Sequence, residues 1–97
     1  MKAYEVMLII DPSLDDDGRE ALLSKVRGVI TADGGVVDSE DAWGKRKLAY
    51  EIAGLAEADY HVLMFHADAP TVAELDRVLK ITDPVVRFKI IRRDDLD

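Results

Sequence analysis

Three consecutive cations, Lys45, Arg46 and Lys47, stand between Trp43 and Tyr50 in a chain whose formal charge is −7. Cations placed among aromatic residues can pair with phosphate while a ring stacks on a base. The plain alternative is that the triplet balances neighbouring acids. A second basic run lies near the end, where Arg87, Lys89, Arg92 and Arg93 follow one another with no acid between them. Side chains of this kind also protect a solvated edge strand against aggregation.

Candidates for catalysis are few. The two histidines, His61 and His66, are five residues apart, so on a strand they face opposite sides and cannot act as a pair. Either alone has the chemistry of a general base. Glu57, Asp59 and Asp68 lie nearby but have no spacing that fixes an acid/base dyad. Asp15, Asp16 and Asp17 could be imagined around a metal ion. Consecutive helical residues point in three directions, however, and no second acidic cluster is placed to complete a shell, so neither a metal nor a cofactor is expected. There is no cysteine, which removes thiolate catalysis and cysteine zinc sites and fits a reducing cytoplasm. Glycine-rich phosphate loops, HExxH, GxSxG and calcium loops are also absent.

The 97 residues are expected to form a single domain, 1–97, closing on an acidic tail at 94–97. With 48% hydrophobic and 34% charged residues the chain has the balance of a soluble globular protein. It carries no apolar run of membrane-spanning length and no cleavable-signal layout, so a cytoplasmic location and no membrane partner are expected. Net negative charge disfavours non-specific nucleic-acid binding by the whole surface. The charge is uneven, though: residues 1–44 hold 4 cations and 10 acids, residues 45–97 hold 9 and 10. A local basic surface can therefore survive.

Alternation predicts a first strand, β1, over 3–11, stopped by Asp11-Pro12-Ser13. A helix, α1, follows, with Asp15, Asp16 and Asp17 at the positive end of its dipole, Leu14, Leu22, Val26, Val29 and Ile30 at helical spacing, and Gly34-Gly35 ending it. A second strand, β2, runs from 36 to about 52, bent or bulged at Gly44. Residues 53–59 read as a hairpin connection and 60–67 as the third strand, β3. Thr71-Val72-Ala73-Glu74 matches a capping box for a second helix, α2, which Thr82-Asp83-Pro84 breaks before a last strand, β4, over 85–92.

The order β-α-β-β-α-β is the split βαβ, ferredoxin-like α+β arrangement. Right-handed crossovers give a four-stranded antiparallel sheet in the order β2-β3-β1-β4 with both helices on one face. Tyr4, Val6, Leu8, Ile10, Leu63, Phe65, Phe88 and Ile90 are the expected helix-facing set. The other face collects Met7, Ile9, Val62, Met64 and Ile91, unusually apolar for water, which implies a partner. Lys2 at the start of β1 should lie beside Arg92 and Arg93 at the end of β4. An RRM uses the same topology, but Asp59-Tyr60-His61-Val62-Leu63-Met64-Phe65 lacks the basic-Gly-aromatic signature of its third strand.

Met-Lys-Ala-Tyr-Glu-Val-Met-Leu-Ile-Ile-Asp-Pro at the start, Trp-Gly-Lys-Arg-Lys-Leu-Ala-Tyr-Glu-Ile from Trp43, Thr-Val-Ala-Glu-Leu-Asp-Arg-Val-Leu from Thr71 and Val-Val-Arg-Phe-Lys-Ile-Ile-Arg from Val85 resemble the bacterial small-subunit ribosomal protein six family. The resemblance runs from Lys2 to Arg93. It implies a ferredoxin-like, non-enzymatic constituent of the ribosome that binds the central domain of small-subunit ribosomal RNA. The implied partner is small-subunit ribosomal protein eighteen, as a heterodimer formed during 30S assembly. Lys2, Arg46, Lys47, Arg87 and Arg92 stand where the family carries basic residues and are the RNA-binding candidates. Trp43, Val62 and Met64 are the candidates for the protein partner. Against the family pattern, the 67–71 connection is short and the acidic tail is shorter than in many members. The other reading is a small cytoplasmic enzyme of the dimeric α+β barrel type, two open sheet faces enclosing a pocket with His61 or His66.

Overall fold

A computed structural model describes residues 1–52 and 54–96. Its elements are β1 (Lys2–Ile10), α1 (Asp16–Thr31), β2 (Val36–Ile52), β3 (Leu55–Ala67), α2 (Ala69–Lys80), β4 (Val85–Arg92) and a short 3-10 turn, Asp94–Leu96. The strands form one antiparallel sheet in the order β2-β3-β1-β4, as the sequence pattern predicts.

Side-chain alternation sorts the sheet into two faces. Val6, Leu8 and Ile10 of β1 and Leu63, Phe65 and Ala67 of β3 pack with Leu22, Leu23, Val26 and Ile30 of α1 and Leu75 and Leu79 of α2. Tyr4, Phe88 and Ile90 close the margin of this core, and Tyr4 stacks on Phe65 at 5.6 Å between ring centroids. Each large apolar side chain fully buried here contributes about 1.5–3 kcal/mol relative to exposure.

The ends of α1 follow its sequence. Asp15 is the cap, its carboxylate accepting from the Gly18 amide at 2.7 Å, and Asp16 and Asp17 occupy the first turn. The aspartate triplet thus serves helix initiation, where negative charge meets unpaired amides. At the other end Gly34 donates to the Thr31 carbonyl, and Gly35 passes so close to the helix that a β-carbon there would stand 2.1 Å from the Ile30 carbonyl oxygen.

Two boundaries differ from expectation. Helix α2 begins at Ala69, not at Thr71: Asp68 is its cap without a side-chain bond, Pro70 sits in the first turn, Thr71 is buried, and Glu74 pairs with Arg77 instead of reaching back. Proline suits the first helical turn, having no amide to satisfy and φ already set, so it starts the helix ahead of the capping-box sequence. Strand β3 begins at Leu55, so the connection expected over 53–59 is mostly strand, with Ile52 opposite Leu55. Gly54, at φ 80°, supplies the positive φ that tight hairpin turns need; Ala53 of that expected connection lies outside the described residues, as does Asp97 of the tail.

Candidate RNA and protein interface

The focal basic stretch lies on β2, an edge strand whose ladder is with β3. The register shifts between Ala42 and Gly44, so Trp43 is an extra residue at a bulge, and Gly44 there has φ 76°. Beyond the bulge Lys45 pairs with Asp59, Arg46 with Ala58 and Lys47 with Glu57. Asp59 belongs to the helix side, so Lys45 and Lys47 share that side and Arg46 points to the open face. The three cations therefore cannot meet one flat surface.

On the open face the pairings define rows across all four strands. Gly44, Tyr60, Ile9 and Arg87 form one row, Asp41, Val62, Met7 and Lys89 the next, and Ser39, Met64, Glu5 and Ile91 the third. The centre is apolar, and Arg87 and Lys89 stand on the β4 side. At the β2 side the Trp43 ring stacks on Tyr60, 6.2 Å between centroids and 11° between planes, while the Arg46 guanidinium carbon lies 5.5 Å from the Trp43 ring centroid. A cation over an indole face is held electrostatically, so Arg46 is pre-positioned at the margin of the apolar patch. Arg46 and Arg87 stand on the two edge strands, three strand spacings (roughly 14 Å) across the sheet and one same-face row apart along it.

Of the partner candidates, Trp43 is 44% exposed and Met64 is half-buried. Val62 is on the same face, in the middle of its row between Asp41 and Met7, and is 6% exposed. Of the RNA candidates, Arg46 and Arg87 share the open face. Lys47 and, by strand parity, Lys2 and Arg92 belong to the helix side, Lys2 opposite Ala67 and Arg92 opposite Tyr4. Arg92 forms an ion pair with Asp94, Nε to Oδ1 at 2.8 Å. Composition alone could not reveal that pairing, because the acids follow the basic run instead of interrupting it.

The histidines do face opposite sides. His66 is on the open face with Nδ1 2.6 Å from Asp38. His61 is buried on the helix side, with Nε2 3.3 Å from Glu40. Arg27 of α1 clamps the same carboxylate, donating from Nε at 2.6 Å and from Nη2 at 3.0 Å, and a third bond reaches Glu20 at 2.7 Å. The Arg27 clamp holds Glu40 below the usual carboxylate range, with the His61 contact assisting. Asp59 is likewise bound by Arg19 at 2.7 Å. These groups join α1 to the sheet. Among the described residues no group of three or more metal-ligating side chains converges.

Residues 3–92 match the family described as Ribosomal protein S6. The chain belongs to the ribosomal protein S6 family. Small ribosomal subunit protein bS6 of Symbiobacterium thermophilum is 52% identical over 92 residues, covering 95% of this chain and 97% of the relative. The bS6 protein of Clostridium botulinum strain Loch Maree is 47% identical over 94 residues, covering 97% of this chain and all of its own. In three dimensions the chain is similar to crystalline 30S ribosomal protein S6 from Thermotoga maritima, with a TM-score of 0.91 at 35% identity over 98% of this chain and 90% of that one. The S6 family is structural, a component of the small ribosomal subunit, and not enzymatic. Membership sets aside the dimeric-barrel enzyme reading of His61 and His66. No described helix of this S6-family chain is long and apolar enough to cross a membrane.

Proposed function

We propose that this chain acts in the cytoplasm during 30S assembly, binding the central domain of small-subunit ribosomal RNA together with small-subunit ribosomal protein eighteen. The observation that carries the reading is the open sheet face, with its apolar centre of Met7, Ile9, Tyr60 and Met64 between the margin cations Arg46 and Arg87. Neither Arg46 nor Arg87 has a salt bridge among the described residues, so both can take phosphate without losing a carboxylate. The apolar centre, with Trp43, Val62 and Met64, suits the protein partner. Lys2, Lys47 and Arg92 add phosphate contacts beyond that face.

On an acidic chain, these cations give weak RNA binding alone, and a basic partner supplies the remaining field. Filter binding with a central-domain RNA fragment tests this. The expected result is weak binding by the isolated chain and a salt-sensitive ternary complex when ribosomal protein eighteen is added. Tight binding by the chain alone, or none with the partner present, overturns the mechanism.

A further inference from the structure

The basic end of β4 is closed by the chain's own tail. Immediately after Arg93 the backbone turns back, with the Leu96 amide donating to the Arg93 carbonyl at 3.0 Å and the Arg93 amide to the Ala3 carbonyl at 2.8 Å. This turn fixes two acids over two arginines. Arg92 is ion-paired with Asp94, Nε to Oδ1 at 2.8 Å. Arg93 meets Asp95 in a fork, Nε to Oδ1 at 3.0 Å and Nη2 to Oδ2 at 2.8 Å, while its Nη1 donates to Glu5 at 2.7 Å. Every nitrogen of the Arg93 guanidinium is thereby committed to a carboxylate. Asp95 is held below the ordinary carboxylate range by Arg93, so it stays charged in any neutral buffer.

The fork on Arg93 has the shape of a bidentate arginine–phosphate contact. Exposed pairs of this kind are individually weak and screened by salt, so a polyanion can exchange with them. Arg87 and Lys89, on the same strand, have no acid paired to them among the described residues. We propose that the 94–96 turn is an internal phosphate mimic: Asp95 occupies Arg93, which joins the open-face Glu5, and Asp94 occupies Arg92 on the other side of the β4 edge, until a polyanion already held at Arg87 and Lys89 and running round that edge displaces them. The device keeps stray anions off the end of β4 and adds two cations once a long phosphate chain is engaged. Its natural ligand, ribosomal RNA, rests on the function proposed above; the masking itself does not.

The test compares the full chain with the Asp94→Asn/Asp95→Asn variant, using inorganic polyphosphate and, with ribosomal protein eighteen present, the central-domain RNA fragment. Asp17→Asn/Asp33→Asn makes the same charge change at exposed positions away from the tail. Releasing two arginines should tighten polyphosphate binding about three- to tenfold and steepen the dependence of log affinity on log salt by about two contacts. The control should change affinity less than about twofold with an unaltered slope. In an Arg92→Gln/Arg93→Gln background the tail substitutions should have no effect. An equal response from the control, or a gain that persists without the arginines, overturns the proposal. A polyphosphate gain with no RNA binding by any variant supports the mask and overturns the RNA reading.

Discussion

The guanidinium of Arg46 lies over the ring of Trp43, 5.5 Å from its centroid, and the same indole stacks on Tyr60. A margin cation of the open face is thus tied to the only tryptophan of the chain. Covering the open face with a protein partner should remove water from that half-exposed indole. Tryptophan fluorescence of the chain is expected to shift to shorter wavelength when ribosomal protein eighteen binds. An unchanged spectrum on formation of the heterodimer rejects the open face as the docking surface.

Charge reversal separates the two margins. Arg46 and Arg87 are exposed and lack ion pairs among the described residues, so Arg87→Glu should change folding stability by no more than about 0.5 kcal/mol and Arg46→Glu, which loses the contact with Trp43, by about 1 kcal/mol. Each removes one phosphate contact and should weaken the ternary RNA complex about tenfold at physiological salt. Incorporation into small subunits, measured by co-sedimentation, is the readout. Wild-type incorporation of both variants rejects these residues as RNA contacts.

How much of this was legible beforehand depended on whether the signal was local. Strand parity set the opposite directions of Arg46 and Lys47, and of His61 and His66, because alternation survives whatever the tertiary context. Topology came from the order of elements and the handedness of crossovers. Three features escaped. The start of α2 was decided by Pro70 in the first turn, which competed with an equally regular capping pattern. The start of β3 at Leu55 was hidden because 53–59 carries no apolar periodicity, and only pairing with β2 reveals it as strand. The pairing of Arg92 with Asp94 needed the chain to turn directly after β4, and nothing in the acidic tail's composition specifies that turn.

The Arg27 clamp on Glu40 makes an acid-sensitive joint between α1 and β2. Glu40 has a folded pKa below its unfolded value, so its contribution is present above about pH 4.3, the ordinary glutamate range, and is lost as pH falls through the depressed folded value. Glu40→Gln should cost about 1–3 kcal/mol at pH 7, since it leaves Arg27 without its bidentate acceptor beside the buried His61. That difference should shrink towards zero as the wild-type carboxylate protonates. Urea unfolding of both proteins from pH 7 to pH 3 checks this, and a constant offset at every pH contradicts the clamp as an ionic interaction.

Glycine substitutions test the approach of α1 to the sheet more sharply than any core truncation. A β-carbon on Gly35 would stand 2.1 Å from the Ile30 carbonyl oxygen and 3.1 Å from that of His66, both backbone atoms that no rotamer change can move. Gly35→Ala must therefore displace either the end of α1 or the β3 edge of the core, where Ile30 is fully buried. A loss greater than about 3 kcal/mol is expected, within the class of large effects that follow from forced backbone shifts. Gly28, in the same helix, has nothing within 4 Å of its would-be β-carbon. Gly28→Ala should instead stabilise by about 0.5–1 kcal/mol, because alanine loses less conformational entropy in a helix interior. Thermal unfolding of the two variants should move in opposite directions from wild type, and a neutral Gly35→Ala would mean that the helix end is not seated against the sheet at this distance.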